Sequence, residues 1–270
     1  MTTTIAVANQ KGGTGKTTTA VSLAHRLASV GYRVLVVDTD VQGHVATTLG
    51  LDKAPGIYQL VQHHQACLCG ARRQGVGRLK IVNARPNLDL IPSDKSTEAA
   101  KRTLVSLNFR ERILADALAD LAYHVVVIDC APSLDVLHVS ALVAADWLVV
   151  PTRLDYLAVD GVSEVLRSLA EIRKQSPASA PALLGILPTF YDRTTNETLV
   201  QFKALVDVFG KYVLPPIPVD TKLREAPAHG ATIWEYAPAS RSAVGIALNG
   251  SGNLVGGYGQ FVEHVRGKAL

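Results

Sequence analysis

Gln10-Lys11-Gly12-Gly13-Thr14-Gly15-Lys16-Thr17-Thr18 stands between a short apolar run, residues 5–9, and an amphipathic stretch, residues 16–30. A strand that runs into glycines and then into a helix is the context a phosphate-binding loop requires. Glycines without Cβ let backbone N–H groups turn inward, and the helix N-terminus adds partial positive charge. Lys16 can then reach the outer phosphoryl oxygens, and Thr17 offers a hydroxyl to Mg²⁺. The same alternation continues outward from the loop. Short Val/Ile/Leu runs at 33–38, 88–91, 125–129, 147–151, 183–188 and 212–214 read as strands. Stretches at 110–121, 134–144, 159–175 and 197–209, with apolar residues three and four apart, read as helices. The order predicts an α/β fold, a single domain over residues 1–270 with a mostly parallel, twisted sheet covered by helices on both faces. Nothing repeats at a fixed period, which argues against solenoids and propellers.

Two further strand ends carry carboxylates. The second run continues Asp38-Thr39-Asp40-Val41-Gln42-Gly43-His44, and the 125–129 run continues Asp129-Cys130-Ala131-Pro132-Ser133. Carboxylates at the C-terminal ends of parallel strands face the crevice where ligands bind in open α/β sheets. Asp129 can orient a water on Mg²⁺. Asp38 and Asp40 face the phosphates or, alternatively, cap the following helix. Cys130 is read as a small packing residue rather than a nucleophile or cluster ligand. Lys11, taken alone, is either a solvated loop lysine or a second cation for the phosphates.

The loop carries Gln10 where the standard pattern has glycine. As Lys11-Gly12-Gly13-x-Gly15-Lys16-Thr17-Thr18 it resembles the deviant Walker A family of ParA, MinD and related P-loop NTPases. The resemblance implies ATP and Mg²⁺ held by Lys11, Gly12, Gly13, Thr14, Gly15, Lys16, Thr17 and Thr18. It implies a homodimer when ATP is bound, in which Lys11 crosses to the partner's ATP as an arginine finger does elsewhere. Catalysis would fall to Lys11, Lys16 and Asp40, with Asp40 positioning the attacking water. The metal would be held by Thr17, Asp38 and Asp129, with Asp38 serving the metal side or the switch segment. Val41 and His44 depart from the family, which has proline and often asparagine there. Residues 183–192 and 216–227 look like the late segments of ParA proteins and extend the resemblance over nearly the whole chain. They make Pro218 and Asp220 candidates for adenine contacts, although Val219 and Asp220 replace the usual arginine and asparagine. Positions matching Arg193 and Lys222, with Arg224 beside them, bind non-specific DNA in ParA relatives; otherwise each is an ordinary solvated charge. The family's slow ATPase is stimulated by a ParB-like centromere-binding or adaptor protein, to segregate plasmid, chromosome or other cargo.

Composition limits the rivals. Lys and Arg total 27 against 23 Asp and Glu, a net charge of +4 that permits an anionic partner without requiring one. No apolar run reaches the roughly 18–20 residues that span a bilayer. The start, Met-Thr-Thr-Thr, has no secretory leader pattern, so the expectation is a cytoplasmic, nucleoid-associated protein without a membrane partner. No helix-turn-helix pattern precedes residue 5, so no separate DNA-reading domain is expected. A MinD-like membrane-cycling ATPase would need an amphipathic tail, and residues 260–270 carry only Arg266 and Lys268 as basic residues. A metal or iron–sulfur carrier on the same fold is suggested by His63, His64, Cys67 and Cys69, but no second cysteine pair completes a site. A small-molecule kinase lacks a visible acceptor motif. Two stretches stand apart: residues 70–80, basic and loop-like, and residues 245–259, whose six glycines are an odd lead-in to a closing helix.

Overall fold

Residues 2–68, 79–175, 180–247 and 254–270 are described by the computed structural model. The chain runs β1 (Thr3–Val7), α1 (Lys16–Ser29), β2 (Val34–Asp38), α2 (His44–Thr48), α3 (Gly56–Leu68), β3 (Val82–Arg85) and β4 (Leu88–Ile91). It continues α4 (Thr97–Val105), α5 (Ile113–Leu118), β5 (Val125–Asp129), α6 (Val136–Ala144), β6 (Trp147–Arg153), α7 (Ala158–Gln175), β7 (Ala182–Thr189) and α8 (Asn196–Phe209). Four short pieces follow, α9 (Lys222–Glu225), α10 (Ile233–Tyr236), α11 (Arg241–Val244) and the hairpin β8 (Ile246–Ala247) with β9 (Leu254–Val255), before α12 (Gly257–Ala269) closes the fold.

Seven strands form one sheet in the order β3-β4-β2-β5-β1-β6-β7, parallel except for the β3/β4 pair. The strands are apolar throughout because both faces are covered. In β1, Ala6 belongs to one core, with Leu35, Val37, Val126 and Ile128 and the helices α3 to α7. Ile5 and Val7 belong to the other, with Val34, Val36, Val125 and Val127 and the helices α1 and α12. Alternate residues of one strand thus feed two cores, as the period of two demands. Leu23 and Leu27 of α1 are fully buried, and each such side chain contributes about 1.5–3 kcal/mol relative to exposure.

Several segments differ from the sequence expectation. β3, an edge strand antiparallel to β4, was not foreseen. Residues 212–214 do not make a strand, because Gly210–Tyr212 is a 3-10 turn and Val213 alone bridges Ile186. The 110–121 stretch is shortened to α5 behind a 3-10 turn, where Phe109 takes a left-handed backbone at φ 56°. The glycine-rich lead-in is a close backbone crossing. Gly245, Gly256 and Gly257 have φ of 97°, 81° and 75°, and a Cβ on Gly257 would lie 2.5 Å from the Gly245 nitrogen. Only glycine lets α12 begin so close to the preceding chain.

Candidate active site

The sheet register gathers the three chemistry-bearing strand ends. Val7 and Asp38 both pair with Asp129, so the loop after β1 rises beside two carboxylates at one level of the sheet. Asn9 anchors the loop's start: its Nδ2 donates to the Pro151 carbonyl at 2.8 Å, and its Oδ1 accepts the Lys11 N–H at 3.0 Å. Gly13 and Gly15 adopt φ of 73° and 85°, which explains why glycine stands at both. A Cβ at Gly12 or Gly13 would meet no atom within 4 Å, so the loop presents bare backbone. The hydroxyl of Thr189, at the end of β7, donates to the Thr14 carbonyl at 3.0 Å and ties the far side of the loop to the sheet.

Lys16 opens α1 and is buried, with its Nζ donating to the Lys11 carbonyl at 2.8 Å. Burial lowers its ammonium pKa, and the nearby Asp129 opposes that shift. Asp129 is 1% exposed, and neither carboxylate oxygen has a hydrogen-bond partner among the described residues. Burial pushes its carboxyl up to about 7; the Thr17 hydroxyl, near but short of hydrogen-bond geometry, and Lys16 pull it down. A buried carboxylate with both oxygens unpaired, beside a threonine hydroxyl, is a donor set that a divalent cation or its water shell would complete.

Asp38 is fully buried and braces the turn that follows it. Its Oδ1 accepts the Asp40 N–H at 3.0 Å and its Oδ2 the Val45 N–H at 3.1 Å. Burial and then Asp129 raise its carboxyl well above the usual carboxylate range. Asp40 sits above, more exposed, with Oδ1 accepting the Gln42 N–H at 2.9 Å. Gly43 lies at φ 60°, and a Cβ there would come within 2.5 Å of the Ser93 carbonyl, so the turn is closed by a glycine where Val41 stands for proline. Neither aspartate is the N-cap of α2, a place taken by Gly43. Cys130 is buried beneath the site and its thiol pKa is pushed far up by burial, as suits a packing residue.

Lys11 has a partner that sequence reasoning missed. Its Nζ lies 2.6 Å from both oxygens of Asp155, just beyond β6, and Asp155 Oδ1 also accepts the Leu157 N–H at 3.2 Å. The available signal was position, since Asp155 follows the C-terminal end of a parallel strand beside the loop.

A cavity of about 610 Å³ runs from Gly15 and Thr18 along Arg153, Asp155 and Phe190 to Pro218 and Asp220. The structure therefore brings the loop and the late segment to one cleft. Asp220 is already engaged, its two oxygens accepting N–H groups of Lys222 and Ser242 at 3.0 Å each. Arg193, Lys222 and Arg224 are all exposed. They occupy adjoining segments, because the Tyr191 N–H donates to the Ile217 carbonyl at 3.0 Å and the Tyr191 carbonyl accepts the Val219 N–H at 2.9 Å. Arg224 also lines the cleft, while Lys222 pairs with Glu225 at 2.7 Å.

His63 and His64 lie on α3, but the side chain of Cys67 and all of Cys69 fall outside the described residues, as do Arg72, Arg73 and Arg78. Among the described residues no group of three or more His, Cys, Asp or Glu could hold a metal ion, and no helix is long and apolar enough to cross a membrane.

A family model described as an AAA domain matches residues 2–180. The chromosome-partitioning ATPase Soj of Thermus thermophilus is 38% identical over 88% of this chain and 90% of its own. The sporulation initiation inhibitor protein Soj of Bacillus subtilis is 36% identical over 88% and 93%. Among solved structures, the cobyrinic acid a,c-diamide synthase of Mycobacterium smegmatis, with bound ATP analog and magnesium, superposes with a TM-score of 0.71 at 33% identity, over 85% of this chain and 93% of that one. With a loop, sheet order and strand-end carboxylates of this kind and such relatives along most of its length, the chain belongs to the Soj/ParA family of P-loop ATPases.

Proposed function

We propose that this chain, acting as one domain over residues 1–270, is a partition ATPase whose ATP-bound homodimer holds non-specific DNA. The carrying observation is the convergence of Lys16, Thr17, Asp129 and the Asp38–Asp40 turn on a bare backbone loop, with a second lysine, Lys11, beside it. Residues 12–18 bind the phosphates of ATP through backbone N–H groups and the start of α1, and Lys16 neutralises the outer oxygens. Thr17 and Asp129 would hold Mg²⁺, which would supply positive charge to the phosphate end of the site. Asp38 supports that side of the site by fixing the turn, with both its oxygens engaged by backbone. Asp40 keeps its Oδ2 outside the bond to Gln42 and is the group that orients the attacking water. Lys11 leaves Asp155 to meet the nucleotide of a second copy, which joins two subunits through their ATP. The paired subunits then offer Arg193, Lys222 and Arg224 to DNA phosphates. Slow hydrolysis, accelerated by a ParB-like partner with a basic flexible segment, separates the subunits and releases DNA on the nucleoid.

A membrane-cycling ATPase is disfavoured by α12, whose Phe261, Val262 and Val265 are packed into the core against α1 and leave no free apolar face. The test is retention on non-specific DNA with ATP, ADP or no nucleotide, for the natural chain and Lys16→Ala. Retention with ATP alone, absent in Lys16→Ala, is expected. Equal retention in all three conditions would overturn the switch, and ATP-dependent sedimentation with liposomes but not DNA would favour the membrane reading.

A further inference from the structure

For a nucleotide whose phosphates sit on the loop, the cleft that runs from Gly15 and Thr18 to residues 217–220 offers a place for the nucleoside. Two aromatic side chains line that cleft among the described residues, Tyr258 and Phe190. Tyr258 is 1% exposed and its hydroxyl is held 3.1 Å from the Thr19 hydroxyl, so it belongs to the floor. Phe190 is 37% exposed and is the aromatic face within reach.

Its backbone is unusual. Phe190 adopts φ 56°, a left-handed conformation that bulky residues seldom take and that persists where surrounding structure holds it. The holding groups are its neighbours: the Thr189 hydroxyl grips the phosphate loop at Thr14, and the Tyr191 N–H donates to the Ile217 carbonyl at 3.0 Å. The ring is thereby tied to both ends of the cleft. Arg153, in register with Thr189 across β6 and β7, places its guanidinium 4.8 Å from the ring centroid. Among the described residues the Arg153 guanidinium makes neither a hydrogen bond nor an ion pair, so its contact with the ring is what positions that side chain. Asp220, the other candidate for reading the base, has both oxygens occupied by backbone.

We infer that Phe190, backed by Arg153, is the wall on which the nucleotide base stacks, and that it selects purine over pyrimidine nucleotides by the area of that stack. This rests on the nucleotide site proposed above. Aromatic faces bind bases through stacking with little dependence on edge hydrogen bonds, and the larger ring system gains more.

Direct binding by titration calorimetry separates the possibilities, using ATP, CTP and inorganic tripolyphosphate, each with Mg²⁺. Phe190→Gly is the informative variant, because glycine accepts φ 56° without strain, and a cooperative melting curve confirms that the variant folds. ATP affinity should fall roughly ten-fold in Phe190→Gly, the scale of losing an aromatic face under a base. Tripolyphosphate affinity should not change, and the preference for ATP over CTP should narrow. Phe190→Tyr should retain the natural affinity and preference, and Arg153→Ala should lose less than Phe190→Gly. Unchanged ATP affinity in Phe190→Gly, or a parallel loss of tripolyphosphate, overturns the assignment. If the natural chain binds neither ATP nor tripolyphosphate, the nucleotide site itself fails, a result distinct from failure of the stacking wall.

Discussion

At the residue scale the site is a set of buried charges awaiting counter-charge. Asp129 has its pKa raised by burial from 3.8 to about 7, so between those values the folded protein binds more protons than the unfolded chain. Stability of the nucleotide-free protein should therefore fall as pH rises from about 4 to about 7. A shift of that size corresponds to at most about 4 kcal/mol. Asp129→Asn should raise the melting temperature at pH 8 in the absence of Mg²⁺ and nucleotide, while weakening Mg²⁺-dependent ATP binding. A melting temperature that does not respond to pH in the natural chain would count against the buried, uncompensated carboxylate. Lys11 and Asp155 make a different kind of pair. Their side chains are 31% and 24% exposed, and ion pairs of that exposure contribute about 0–1 kcal/mol. Asp155→Asn should release Lys11 and lower the ATP concentration at half-dimerisation by roughly two- to five-fold, the equivalent of that energy. Light scattering across an ATP titration measures it, and an unmoved midpoint would mean that the pair does not compete with dimer formation.

At the element scale, what could be read from the sequence depended on how local its cause was. β1, the glycine loop and α1 announce themselves together because strand, turn and helix requirements are met by adjacent residues. β2 and β5 follow for a similar reason, since Val34–Asp38 and Val125–Asp129 are buried at every position and end in a carboxylate. β3 lacked such a signal: Val82–Arg85 is an edge strand with one buried residue, Ala84, and only four residues long. The 212–214 run was apolar enough for a strand, yet Gly210 and the 3-10 turn leave Val213 alone in line with Ile186. Pairings across long separations were beyond reach. Lys11 with Asp155 joins residues 144 apart, and nothing in either segment names the other. The glycines before α12 were visible as composition, but their cause, backbone crossing backbone, exists only in three dimensions. Gly257→Ala puts a Cβ 2.5 Å from the Gly245 nitrogen in a left-handed residue, and should destabilise by about 1–3 kcal/mol. Thermal or urea melting checks it; an unaltered midpoint would show that the seam relaxes at no expense.

At the scale of the whole molecule, the proposed cycle links three surfaces carried by one sheet: the phosphate loop, the Lys11 side and the Arg193–Arg224 region. If DNA is held by phosphate contacts, Arg193→Ala should weaken ATP-dependent DNA binding while ATP affinity stays the same. It should also reduce the slope of log affinity against log salt by about 1. Loss of ATP affinity alongside DNA affinity would place Arg193 in the cleft instead. The sheet order carries one more consequence. β1 is the first strand made, yet its two neighbours are β5 and β6, more than a hundred residues downstream. During synthesis, which proceeds from the amino end, the opening strand and its glycine loop emerge from the ribosome long before either flanking strand exists. A nascent chain stalled before residue 125 should therefore be unable to capture nucleotide, and the newborn protein stays silent until its middle has been translated.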